Sequence, residues 1–185
     1  AREVTDMRRE YLAYLAEMRE TVRTAARRQR TFLEWFLPDP ASLTMVAEEG
    51  TRVWERDSGD GDLLRTRVGR STQPLAMTLE APQSSPVSQL DPVAASAAHR
   101  FLLTHANQPG LPHSVDLRDV ARVEVAGEER HARALARAMI MHLATFVGPA
   151  QLQIAVIASS AVQPEGEGIK WLPHVQHPTD TDAAG

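Results

Sequence analysis

The sequence predicts a mixed α/β fold with a long N-terminal helix and a small β-rich insertion. Three observations predict it. Residues 1–37 contain neither glycine nor proline and repeat apolar side chains at helical spacing. Residues 51–80 alternate apolar and polar positions between turn-rich segments. Around Gly127 an alternating run, Val123 and Val125, gives way to an alanine-rich helical pattern. Strand, glycine and helix in that order is the layout of a phosphate-binding loop.

In residues 1–37, Tyr11, Leu15, Met18, Val22 and Ala25 recur at 4-3-4-3 spacing, which Gln29 interrupts before Phe32 and Phe36 resume it. A repeat of about 3.5 residues is a seam for packing against another helix. That seam either lies on the chain's own domain or belongs to a projecting stalk that meets another subunit. On the second reading Tyr11, Leu15, Met18, Val22, Arg27 and Arg28 form the interface, and about 55 Å of helix is available.

Pro38-Asp39-Pro40 stops the helix, and Ala41 to Glu49 is short enough to be one further helix closed by Gly50. Val53 to Arg56, Leu63 to Val68 and Leu75 to Leu79 read as strands. Leu64, Thr66 and Val68 should face inward, with Arg65 and Arg67 outward. Asp57, Asp60 and Asp62 resemble a calcium loop but have Val68 where the bidentate glutamate belongs, so they read as a solvated turn. Residues 81–88 are a Pro/Ser linker. Residues 89–175 then form the α/β part: a helix from Asp91-Pro92 to about Asn107, strand residues from Val115 to Val125, a helix with core stripe Leu135, Met139, Leu143 and Phe146, and a buried parallel strand Leu152 to Ser159. Residues 176–185 read as a loose tail.

Composition narrows the chemistry. A net charge of −4 argues against general nucleic-acid binding, and the absence of cysteine removes disulfides, thiol catalysis and thiolate metal sites. No apolar run reaches the length of a membrane span. His131, His142, His174 and His177 lack a third clustered ligand for zinc, and Ser159-Ser160 lacks a nucleophile elbow. Of the 20 basic residues only Lys170 is lysine, a composition bias without mechanistic content.

The Gly127 loop keeps the scaffold and loses the groups that act. Counted from Gly127, Ala132, Arg133 and Ala134 stand where a working loop has Gly, Lys and Ser/Thr. Arg133 offers a planar fork in place of a compact ammonium, and Ala134 has no oxygen for Mg²⁺. Glu128 and Glu129 would repel a triphosphate by about 4 kcal/mol per close contact at an effective dielectric near 20. Gly127, Glu128, Arg130, His131, Ala132, Arg133 and Ala134 are thus a degenerate phosphate loop. No cofactor is expected, and ATP with Mg²⁺ remains the alternative, in which the loop binds and hydrolyses ATP by an atypical site. Peptide recognition on the edges of the 63–79 ribbon is a third class.

Seven segments carry a family resemblance: Arg9-Glu-Tyr-Leu-Ala-Tyr-Leu, Asp39-Pro, Trp54-Glu-Arg, Leu64-Arg-Thr-Arg-Val-Gly, Gln73-Pro-Leu-Ala, Leu90-Asp-Pro-Val and Trp171-Leu-Pro-His-Val-Gln-His-Pro. In order along the chain, they resemble the EccC family, the FtsK/SpoIIIE-type ATPases of the type VII (ESX) secretion system. The resemblance implies a fragment of a longer, membrane-anchored, ATP-hydrolysing export motor: a stalk helix at 1–37, then a degenerate RecA-like first module at 38–185 that is itself inactive. It also implies a location on the cytoplasmic face of the inner membrane, and partners among EccB, EccD, EccE and further EccC copies. Any acidic strand of the second motor motif would lie beyond Gly185.

Overall fold

The computed structural model describes residues 2–79, 92–157 and 168–176. The linker 81–88, Asp91, Ser159-Ser160, His177 and the rest of the tail fall outside them. The mixed class and the long N-terminal helix are present, with four α-helices and two strands in the described residues. These are α1 (Arg2–Phe36), α2 (Leu43–Glu49), β1 (Arg65–Pro74), α3 (Pro92–His105), β2 (Asn107–Asp116) and α4 (Glu129–Phe146). The chain divides into two compact units, Ala1–Leu37 with Gly69–His113, and Pro38–Val68 with Ser114–Gly185.

In the first unit, α1 is continuous because strong helix formers fill it and nothing breaks it before Pro38. Glu3 lies in its first turn, favourable at the positive end of the helix. The 4-3-4-3 seam is used inside the unit. Tyr11, Leu15 and Val22 are buried with Leu75 and with Ala94 and Phe101 of α3, while Met18, Ala25 and Ala26 pack partly against them. Burying one such side chain stabilises by roughly 1.5–3 kcal/mol.

Gln29 breaks the heptad because it ties α1 to the strands. Its amide nitrogen donates to the Pro74 carbonyl (2.9 Å), and its oxygen accepts from the Ala76 N–H (2.8 Å) and from Gln108. The next residue, Arg30, donates to the carbonyls of Pro109 (2.8 Å) and Gly110 (3.2 Å). Arg70 reaches the same Gly110 carbonyl at 2.9 Å.

The strands differ from expectation. β1 and β2 form a two-stranded antiparallel ribbon, with Leu75 N–H on the Ala106 carbonyl at one end and Leu117 N–H on the Leu64 carbonyl at the other. β1 runs through Gly69–Thr72, expected as a turn, and ends before Leu75–Leu79, expected as a strand. β2 contains Pro109 and Pro112, which have no N–H to donate to a ladder. In a two-stranded ribbon both strands are edges, and an edge tolerates a residue that cannot donate.

In the second unit, the Asp39 carboxylate caps a 3₁₀ turn, Pro40–Ser42, by accepting from Ala41 N–H. α2 follows and is closed by Gly50 at φ 68°, as expected for a left-handed helix stop. Thr66 is fully buried and donates to the Met139 carbonyl (3.3 Å). Arg67, expected outward, is buried as well, because its guanidinium is held by the Asp39 carboxylate at 3.0 Å.

The expected parallel strands do not form in the described residues. Val123 and Val125 stand 41% and 36% exposed in irregular backbone, and residues 152–157 join no ladder, with Ile157 fully exposed. β-branched composition makes a strand only where a neighbour completes the ladder, and here none does. The one parallel pairing among the described residues is an isolated bridge between Arg56 and Val147.

Candidate functional site

The turn at Gly127 is open. Gly127 adopts φ 142°, a conformation that L side chains rarely adopt, and α4 begins two residues later. Residues 127–131 and Ala134 are exposed, so no low-dielectric wall surrounds the turn. Its charged groups satisfy one another locally. Arg133 pairs with Glu129, and His131 Nδ1 lies 2.6 Å from the Glu128 carboxylate. Ala132 N–H is committed to the Glu128 carbonyl (2.9 Å), and Ala132 and Ala134 supply neither a tight turn nor an oxygen. Arg130 is exposed on the same turn. The structure brings these seven residues together without building a cradle.

A tighter constellation sits at the C-terminal end of α4. The segment Trp54–Arg56 runs alongside it, with Trp54 N–H on the Thr145 carbonyl and Arg56 N–H on the Phe146 carbonyl, both 2.9 Å. Trp54 holds a left-handed φ of 57°, the one such non-glycine residue among those described, and its indole N–H donates to the Ala144 carbonyl (3.2 Å). Strain of this kind costs about 1–3 kcal/mol and persists where surroundings enforce it. Here the enforcing groups are the two carbonyls and His174, whose ring meets the indole edge-on at 6.3 Å.

His174 is buried, and its Nε2 lies 2.6 Å from the Val147 carbonyl. A carbonyl only accepts, so Nε2 carries the proton. His174 therefore packs this junction, and its own carbonyl takes the Ile154 N–H at 2.9 Å. Two of the resemblance segments, Trp54-Glu-Arg and Trp171-Leu-Pro-His, thus meet on one helix terminus.

Beneath them lies a cationic, aromatic interior. Arg52 and Arg56 each stand 4.9 Å from the Phe146 ring centre. Arg56 is 4% exposed and donates to the carbonyls of Arg65 (2.7 Å) and Asp62 (3.4 Å). His142, 2% exposed, stacks at a tilt on Phe146 (4.9 Å), and neither of its ring nitrogens has a hydrogen-bond partner among the described residues. Burial above all, then the charges of Arg56, Arg67 and Arg52, pushes its pKa down to about 3. Sequence reading singled out His142 as a histidine without ligands but gave no signal of its arginine surroundings.

The acidic turn is a structural loop. Asp57 N–H donates to the Asp60 carboxylate (2.7 Å), Gln151 donates to Asp57 (3.1 Å), and Arg118 ties Asp116 to the carbonyls of Asp60 and Gly61. No group of metal-binding side chains occurs among the described residues.

On α1, Tyr11, Leu15 and Val22 are covered by their own unit and Met18 is half-buried, so these four do not form an open face for another subunit. The Tyr11 hydroxyl is buried without a hydrogen-bond partner among the described residues, and its pKa is raised, by burial first and then by Tyr14. Arg27 and Arg28 remain exposed. No described helix is long and apolar enough to cross a membrane.

No protein-family model matches the chain. Individual relatives do. It is 44% identical over 179 residues to the ESX secretion system protein EccC of Thermomonospora curvata, covering 96% of this chain and 14% of that protein. It is 39% identical over 177 residues to the ESX-4 secretion system protein EccC4 of Mycobacterium tuberculosis, covering 95% and 14%. The ESX-1 secretion system protein EccCa1 of M. tuberculosis is 36% identical over 193 residues, covering 99% and 26%. The chain therefore spans about one-seventh of the first two relatives and about a quarter of the third. With similarity running along nearly all of its length, the chain belongs to the EccC family of the type VII (ESX) secretion systems.

Proposed function

We propose that this segment is the membrane-proximal, cytosolic part of an EccC protein, coupling the membrane anchor to downstream motor domains and organising the secretion complex for protein export. Residues 1–37 lead from the anchor, and residues 38–185 form a degenerate RecA-like module. EccB, EccD, EccE and further EccC copies are the partners of this reading, and the cytoplasmic face of the inner membrane is its place.

The observation that carries it is where the bonded geometry lies. At the Gly127 turn Arg133 is paired with Glu129, His131 lies against Glu128, and Arg130 is exposed, so no group there is enclosed. At the end of α4, by contrast, a strained tryptophan, a buried histidine and a buried arginine are locked into a rigid junction. The junction suits a part that transmits position. Glycine, the following helix and Arg133 are what support the degenerate-loop ancestry; catalysis needs more than those, since loss of one preorganised electrostatic group costs roughly 10²–10³ in rate.

Calorimetry with Mg·ATP tests the reading. The coupling role predicts no saturable heat at micromolar ligand, for the chain or for the full-length protein with its later domains inactivated. Saturable micromolar binding that Arg133→Ala abolishes would establish the atypical ATPase instead.

A further inference from the structure

We draw no further inference here: the strongest candidate, the apolar groove of the first unit that Tyr11, Met18, Met77, Leu79, Phe101 and Leu102 line between α1, α3 and the chain after β1, carries none because nothing in the structure shows what covers it.

Discussion

At the residue scale, two buried groups make predictions of opposite kind. His142 is held neutral by burial and by three nearby guanidiniums, with a pKa of about 3. Its folded pKa lies below the unfolded value near 6.5, so its neutral form is favoured by folding. That stability is complete above pH 6.5 and is lost as pH falls from 6.5 towards 3. At about 1.36 kcal/mol per pH unit, some 2 kcal/mol should disappear by pH 5. Melting curves at pH 7.5 and 5 should therefore show a larger drop for the wild type than for His142→Leu; equal drops would disprove the assignment. Arg56 acts through what it satisfies. Arg56→Met keeps a flexible stem but leaves the Arg65 carbonyl without its donor and Asp62 without its cation. Urea unfolding should show a loss of about 2–4 kcal/mol, well above the cost of an exposed arginine.

At the element scale, the helices were legible in the sequence and the sheet was not. α1, α2 and α4 follow from periodicity, breakers and the glycine at position 50, all local signals. The seam of α1 was legible too, although its partner was not, because a heptad states that something covers Tyr11 and Leu15 and not what. Pairing of β1 with β2 depends on residues about forty apart, which local propensity does not announce. Val123–Val125 and Leu152–Ile157 had the right composition and no strand beside them. Gln29 shows the same limit: it looked like a fault in a heptad and is a bond to the ribbon. Gln29→Leu, which perfects the repeat, should therefore destabilise by about 1–2 kcal/mol by leaving the Pro74 carbonyl and Ala76 N–H without partners. Phe101→Ala should cost about 3–5 kcal/mol through the cavity left under α1. A more stable Gln29→Leu chain in thermal melts would show that Gln29 is a packing defect after all.

At the scale of the whole molecule, the Gly127 residues were legible as a set because they are consecutive in the sequence. What no spacing announced was the junction of Trp54, Phe146, Val147 and His174, whose members are as much as 120 residues apart and meet only through the fold. Under the proposed coupling role, export depends on that junction and not on the glycine turn. The most direct measurement compares two variants of the full-length protein for substrate export from cells at matched protein levels. E129A/R133A at the turn should export at the wild-type level, and W54A/H174A at the junction should lose most export while the motor domains still hydrolyse ATP. Export lost in E129A/R133A and preserved in W54A/H174A would contradict the account.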